Sequence, residues 1–235
     1  MRPAGQIGTI TSTMTTSTER PLTRLLQLAS PALPVGAYSY SQGLESAIEA
    51  GVVHDAASAK RWIGDVLAHS LAQLEAPVLL RLCAAWTTGD VAAARRWNEL
   101  FLASRETAEL RAETAQMGYS LAKLLPQLEA GDVPLEEPSF PAAFAHAVAA
   151  WRIDPHDALV AYLWSWLENQ VLAAVKALPL GQTDGQRILV SLGDGLDELA
   201  RRAARFDDDA LGNFAPALAL LSSRHETQYS RLFRS

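Results

Sequence analysis

The sequence contains a single cysteine, Cys83, which excludes an internal disulfide. Cys83 lies in the apolar run Val78–Trp86, a context that favours a small buried core residue over a reactive thiol. The polar, threonine-rich stretch Thr9–Thr18 has no apolar run of the kind that a secretory signal requires. A lone buried thiol without such a signal predicts a protein of the reducing cytoplasm.

The sequence also lacks the short motifs that carry catalysis or metal binding. It has no Cys-x-x-Cys, His-Glu-x-x-His, Walker A or nucleophile-elbow pattern. Asp207–Asp209 lacks the glycine and the closing glutamate of a calcium loop, so an acidic helix cap is favoured. The sequence has five histidines, and no two of them pair at helical spacing; the five are His54, His69, His146, His156 and His225. His225 has no obvious serine and carboxylate partners in the sequence. These absences predict a chain that is not an enzyme and has neither a cofactor nor a resident metal.

Long hydrophobic runs and an excess of positive charge are missing too. The longest apolar segment, Ala158–Ala174, contains Glu168 and falls short of the roughly 20 apolar residues that a membrane span needs. The net charge of −6 argues against nucleic-acid binding. The tail, Ser223–Ser235, holds three arginines against one glutamate, a net charge of +2 that leaves −8 for the rest. This asymmetry indicates the tail as a candidate partner-binding element.

Apolar residues recur at helical spacing along most of the chain, and no alternating run predicts a strand. The predicted fold is all-α, a single compact multi-helix domain with short loops and little or no strand. The predicted parts are a flexible N-terminal extension (1–21), the helical domain (22–222) and the tail (223–235). Prolines and glycines predict loops over Ser30–Gly43 and Asp132–Pro141. The predicted helices run over Leu22–Ala29, from a Ser39–Gln42 capping box to Gly51, from an Asp55 cap to Leu67, over Val78–Trp86 with Pro77 in its first turn or as a kink, from Val91 to about Leu125, and over Phe144–Trp151, Pro155–Ala177 and Gln182–Arg205. A final segment, Ala210–Leu221, is interrupted or begins near Pro216.

Three segments use polar or aromatic residues in a way that solvated helix surface does not require. The loop Leu33–Glu45 contains two tyrosines, which either seal the core or form a partner surface. In the stretch Val175–Gln182, Lys176 either complements the helix dipole or contacts a partner. The tail is either a frayed end that buries little core, so that truncation at Arg224 leaves the fold nearly intact, or a segment that orders on binding. Its arginines and aromatic residues are of the types enriched at interface hot spots.

These segments together closely resemble the urease accessory protein F (UreF) family. The resemblance runs from about Leu22 to Ser235. Four segments carry it, in the same order as in the family: Leu33–Glu45, Arg105–Glu113, Val175–Gln186 and Ser223–Ser235. It implies an all-α, homodimeric, non-enzymatic chaperone that assists nickel insertion into apo-urease. The implied partners are accessory protein D (called H in some organisms), the GTPase accessory protein G and apo-urease. The resemblance also implies that the tail becomes ordered when the D/H protein binds.

Individual roles are implied only where this sequence matches the family motifs. Tyr38 and Arg231 match positions tied to GTPase recruitment, and Lys176 matches a lysine associated with gating of the GTPase. A general interface role is implied for three further tail residues, Glu226, Gln228 and Tyr229. Met1–Arg20 have no counterpart in the resemblance, and the scattered histidines do not form a nickel site. Two alternatives stay open, a helical-bundle metal carrier or metalloenzyme and a helical adaptor unrelated to urease.

Overall fold

The computed structural model describes residues 20–235, and within that range the chain forms helices and no β-strand. The helices are α1 (Arg20–Ala29), α2 (Leu44–Glu49), α3 (Ala56–Val66), α4 (Ala76–Thr88), α5 (Val91–Ala103), α6 (Ala108–Leu124), α7 (Phe140–Ala150), α8 (Pro155–Ala177), α9 (Gln182–Gly193), α10 (Leu196–Ala203) and α11 (Pro216–His225). Short 3₁₀ turns cover Ala37–Ser39, Leu125–Leu128 and Asp208–Ala210. The prediction of an all-α domain is confirmed. Residues 1–19 of the predicted N-terminal extension lie outside the described residues, and α1 already begins at Arg20.

A π-helical stretch, Leu67–Glu75, joins α3 to α4, so that one helix of 33 residues runs from Ala56 to Thr88. Asp55 begins it with the predicted cap, its carboxylate accepting the Ser58 amide at 2.7 Å. The two helices predicted here, one ending at Leu67 and one beginning at Val78, are joined in the structure, and Pro77 lies in the first turn of α4, one of the two positions predicted for it. Proline has no amide hydrogen, so the Gln73 carbonyl four residues earlier lacks its helical donor. The Gly212 amide supplies a replacement at 3.4 Å, and the wider π turn helps the helix to continue past the proline.

This long helix, and not Ala158–Ala174, is the most membrane-like segment of residues 20–235. By length and composition alone it could cross a membrane. However, 72% of its apolar window is buried inside the fold. Burial of that extent is the property of a core helix, and the segment provides only weak evidence for a membrane span.

Two predicted long helices are each divided in the structure. The segment predicted as one helix from Val91 to Leu125 breaks between α5 and α6, where the Thr107 hydroxyl accepts the Leu110 amide at 3.2 Å. Threonine at a helix N-cap satisfies an amide that has no helical partner, and here this local gain supports a new helix start. The predicted helix Gln182–Arg205 breaks at Asp194–Gly195, between α9 and α10. Glycine is a poor helix former, which favours a break at this position.

The predicted capping box of Ser39 and Gln42 is not formed. Ser39 ends a 3₁₀ turn, and α2 begins only at Leu44, after Gln42 and Gly43 have both adopted positive φ angles of 51° and 77°. The N-cap residue of α2 is Gly43, which has no side chain, and the Ser41 hydroxyl instead accepts the Glu45 amide in the first turn at 3.3 Å. The Ser30–Gly43 segment is therefore an ordered loop, as predicted, but it ends in a left-handed turn.

The core forms around α4 and α8, which pack against each other and against several neighbours. Helix α7 packs against both α4 and α6, and the residues just before α7 lie very close to α6. A Cβ atom at Gly118 of α6 would lie 2.0 Å from the Pro138 carbonyl oxygen, so this position admits only glycine without a shift of backbone. The lone cysteine, Cys83, is buried in α4 as predicted, and burial raises the pKa of its thiol to about 12. This packing supports a rim on which α2, α11 and the first turn of α6 meet.

Candidate partner-binding surface

The tail returns to the loop Leu33–Glu45 and is bonded to it through the backbone. The Arg234 amide donates to the Ser39 carbonyl at 2.8 Å. The main-chain oxygen of Ser235 accepts the amides of Ser41 and Gln42 at 2.8 and 3.1 Å and the Ser41 hydroxyl at 2.6 Å. Loop and tail thus form one unit, which together with Lys176 is called the tail–loop surface below.

The tail is packed and not frayed in this structure of the single chain. Phe233 is only 5% exposed and Ser235 only 1% exposed. The expectation that the tail buries little core is therefore wrong. The resemblance implied ordering on partner binding, whereas here the tail is already docked on the chain itself.

Glu45, in the first turn of α2, fixes the backbone of the tail. One carboxylate oxygen accepts the Leu232 amide at 2.6 Å, and the other accepts the Phe233 amide at 2.9 Å. Hydrogen bonds from two consecutive amides to one buried carboxylate are charge-assisted and stronger than bonds between neutral groups. Glu45 thereby sets the path of the tail just before Phe233 enters the core.

His225, the last residue of α11, lies completely buried between two carboxylates. Its Nδ1 is 2.7 Å from Glu109 and its Nε2 is 3.3 Å from Glu45. An imidazole can donate to both neighbours only when both ring nitrogens carry hydrogen. These carboxylate partners were not obvious in the sequence, because Glu109 and Glu45 lie more than 100 positions away from His225.

Arg231 closes the turn of the tail. Its Nε donates to the Gln228 carbonyl at 2.8 Å, and one terminal nitrogen donates to the Glu226 carbonyl at 2.6 Å. The other terminal nitrogen donates to Glu109 at 2.8 Å, on the carboxylate that also holds His225. The side chain is still 32% exposed. Arg231 is thus both a structural tie within the tail and a partly open cation at the surface.

The three remaining tail residues predicted as interface residues occupy different environments. The Glu226 carboxylate accepts the Ala108 amide at 3.0 Å, which places its negative charge at the N-terminus of α6. The Gln228 side chain accepts the Ser46 hydroxyl at 3.0 Å and so joins the tail to α2. Tyr229 is fully exposed. Of the three, only Tyr229 presents its whole side chain to solvent.

Lys176 and Tyr38 flank the docked tail. The Lys176 ammonium lies 4.6 Å from the centroid of the Phe233 ring, a cation–π contact that connects the end of α8 to the tail. Tyr38 lies on the 3₁₀ turn of the loop with 73% of its surface exposed. An exposed tyrosine with a flat apolar ring and a polar tip is well suited to a protein contact.

Glu113, on α6, lies beneath the junction of loop and tail. Its carboxylate accepts the Gln42 amide nitrogen at 2.6 Å and the Ser235 hydroxyl at 2.7 Å. The Gln42 oxygen in turn accepts the Trp166 indole N–H at 2.7 Å. Burial raises the pKa of Glu113 to about 7, against the lowering effect of these hydrogen bonds. Gln42 therefore links α6, α8 and the tail.

A cleft opens beside the loop and is lined by Tyr38 and Gln42 among others. At its polar end the Tyr162 hydroxyl and the Arg105 guanidinium both bond to Glu75, which ends the π-helical stretch. Burial raises the pKa of Glu75, although the neighbouring Arg105 opposes the change. Within residues 20–235 no group of three or more histidine, cysteine, aspartate or glutamate side chains is arranged so that it could hold a metal ion.

The structure brings together the loop, Lys176 and the tail, which were singled out separately in the sequence. It adds four residues that were not chosen as site residues: Glu45, Glu109, Glu113 and His225. All four lie within the quoted motifs, Glu45 at the end of the loop segment, Glu109 and Glu113 in the Arg105–Glu113 segment, and His225 in the tail. Their position within those motifs was the only indication in the sequence that they belong to the surface. The glutamates gave no other indication, because acidic residues in helices are ordinarily solvated.

Comparisons with known proteins decide the family. A model of the UreF family matches residues 53–193, more than half of the chain. A urease accessory protein UreF from Azoarcus sp. (strain BH72) is 60% identical over 224 residues, which is 92% of this chain and 96% of that protein. The chain belongs to the UreF family.

Other UreF proteins agree with this result. The urease accessory protein UreF of Methylobacillus flagellatus is 54% identical and covers 93% of this chain and all of its own length. That of Dechloromonas aromatica (strain RCB) is 53% identical and covers 91% of this chain and 97% of its own. Each is named as an accessory protein of urease, and none is named as urease itself. This agrees with the prediction that the chain is not an enzyme.

Proposed function

We propose that this UreF protein is a non-enzymatic scaffold for the maturation of apo-urease in the cytoplasm. In this role it binds accessory protein D/H, recruits the GTPase accessory protein G, and assists the delivery of nickel as cargo to urease. The working unit is a homodimer, and the tail–loop surface is the recruitment site. Family membership supports the link to urease, and the properties of the surface support the site.

One observation carries the assignment of the site. Tyr38, Lys176 and Arg231 come from three distant parts of the chain, yet hydrogen bonds and a cation–π contact tie their segments to the same docked tail. Tyr38 is exposed and Arg231 partly exposed, and tyrosine and arginine are residue types enriched at binding hot spots. Side chains held in place by the fold lose little further entropy when a partner binds, which favours affinity.

The test measures complex formation and urease activation with single substitutions. Tyr38→Ala, Lys176→Ala and Arg231→Ala are expected to weaken retention of the GTPase by a complex of this chain with the D/H protein, and to lower urease activation. Each has a matched control at an exposed residue of another surface: Tyr119→Ala, Lys60→Ala and Arg187→Ala. Undiminished recruitment and activation in all three test variants would exclude this surface as the site.

A separate assay tests the metal-carrier alternative. Equilibrium dialysis of the isolated chain against nickel measures direct metal binding without any partner. The scaffold proposal predicts no stoichiometric nickel bound by the isolated chain. Tight stoichiometric binding would instead favour a direct metal carrier.

A further inference from the structure

Arg231 does not reach the surface as an independent side chain. Its carboxylate partner, Glu109, also accepts a hydrogen bond from the buried ring of His225. The opposite nitrogen of that ring faces Glu45, which holds the Leu232 and Phe233 amides. A continuous chain of polar contacts therefore runs from the backbone after Arg231, through the interior, and back to its guanidinium.

We propose that Glu45, His225 and Glu109 form a positioning unit that presents Arg231 to a carboxylate of the GTPase partner. This inference rests on the proposed function, since it assumes that Arg231 contacts that partner. None of the three residues needs to touch the partner. Their role is to hold the guanidinium in one orientation.

The donors of Arg231 indicate the chemistry of the group that it meets. A guanidinium carries five N–H groups, and three are used by the bonds to Gln228, Glu226 and Glu109. One N–H remains on each terminal nitrogen, and the side chain is partly exposed. Two donors on a rigid, planar fork match the two oxygens of a carboxylate. An acidic side chain on the partner is therefore the expected ligand.

The burial of Glu45, Glu109 and His225 is what allows these side chains to hold Arg231 in position. Glu109 and Glu45 have side chains only 16% and 10% exposed, and His225 is fully enclosed. Buried polar groups must be bonded, so the three side chains have little freedom to reorient. Without the negative charge of Glu109, Arg231 loses its ion pair and has only neutral acceptors, in a turn where its side chain is one-third exposed. The guanidinium can then rotate away from this orientation. Part of the binding free energy is lost because the orientation must be restored when the partner binds.

Glu109→Gln is the variant that tests the unit, because it keeps the size of the side chain while removing its charge and one acceptor. Glu198→Gln is the matched control, since Glu198 also pairs with an arginine, Arg201, but on the exposed face of α10. His225 variants are unsuitable as the primary test because the residue is completely buried and its loss endangers folding. Thermal unfolding of each variant checks that the fold is retained.

The measurement is the affinity of the GTPase for the complex of this chain with the D/H protein. Glu109→Gln is expected to weaken binding roughly ten- to a hundredfold, as loss of a charge-assisted hydrogen bond predicts, while Glu198→Gln stays within about twofold. In an Arg231→Ala background, Glu109→Gln is expected to have no further effect, because its role acts through Arg231. Wild-type affinity in Glu109→Gln, or an equal loss in both backgrounds, would overturn the proposal.

A second readout requires no partner. Amide hydrogen exchange of Leu232 and Phe233 in the isolated chain reports how firmly the tail is held. Glu45→Gln and Glu109→Gln are expected to speed this exchange, and Glu198→Gln to leave it unchanged. If the wild-type chain fails to bind the GTPase, the proposed function fails but this readout still tests the unit. Unchanged exchange in both test variants would overturn the positioning role itself.

Discussion

Replacement of Glu113 by glutamine is expected to make the fold more stable at pH 8 and to remove part of its pH dependence. Glu113 is buried, and burial raises its pKa from 4.5 to about 7 in the folded chain. A folded-state pKa above the unfolded one means that the protonated acid is favoured by folding. Its contribution to stability is therefore complete below pH 4.5 and is lost as the pH rises through about 7.

The size of the effect follows from this difference in pKa. At about 1.4 kcal/mol per pH unit, the full contribution is about 3 kcal/mol. Between pH 5 and pH 8 it changes the free energy of unfolding by roughly 2.5 kcal/mol. Glutamine imitates the protonated acid, because its oxygen can accept from Gln42 while its nitrogen donates to the Ser235 hydroxyl. The variant thus retains at pH 8 the stability that the wild type has only in acid.

Urea unfolding at pH 5, 6, 7 and 8 measures the effect directly. The difference in free energy of unfolding between Glu113→Gln and wild type is expected to grow by about 2.5 kcal/mol between pH 5 and pH 8, in favour of the variant. Other titrating groups are common to both proteins and cancel in this difference. Two parallel stability curves would refute the assignment of a raised pKa to Glu113. A variant less stable at every pH would show that glutamine does not fit the site.

Three further substitutions test the packing. Phe233→Ala is expected to lower the free energy of unfolding by about 3–5 kcal/mol, as for other buried phenylalanines, and a loss below about 1 kcal/mol in urea unfolding would mean that the tail is not docked. Gly118→Ala is expected to cost about 3 kcal/mol or more, because the new Cβ meets backbone at Pro138; an unchanged melting temperature would contradict that close approach. Asp55→Ala is expected to cost about 1 kcal/mol through loss of the helix cap, and retention of full stability by circular dichroism melting would argue against that cap.

Sequence patterns predicted features that depend on near neighbours. The Asp55 cap uses a residue three positions away, and the limits of the Pro155–Ala177 helix follow from an initial proline and a later Pro/Gly break. The helix breaks at Thr107 and Gly195 were missed, because either residue is tolerated inside a helix and helical periodicity alone does not reveal a break. The joining of α3 to α4 was missed because the outside donor to the Gln73 carbonyl, the Gly212 amide, lies far away in the sequence.

The candidate surface was only partly predictable. Tyr38, Lys176 and Arg231 came from motif resemblance, but no sequence period relates them to one another. The partners of His225 are separated from it by 116 and 180 positions, and helical periodicity carries no information over such distances. The docking of the tail was missed because its polar composition resembles that of a frayed end, and only Phe233 enters the core.

Recruitment of the GTPase through the tail–loop surface is tested most directly by one affinity measurement. The complex of this chain with the D/H protein is titrated with the GTPase accessory protein, using wild type, Arg231→Ala and the control Arg187→Ala. The expected result is a loss of at least about tenfold for Arg231→Ala, from removal of charge-assisted hydrogen bonds, with Arg187→Ala equal to wild type. Equal affinity of all three proteins would contradict the assignment of this surface to the GTPase.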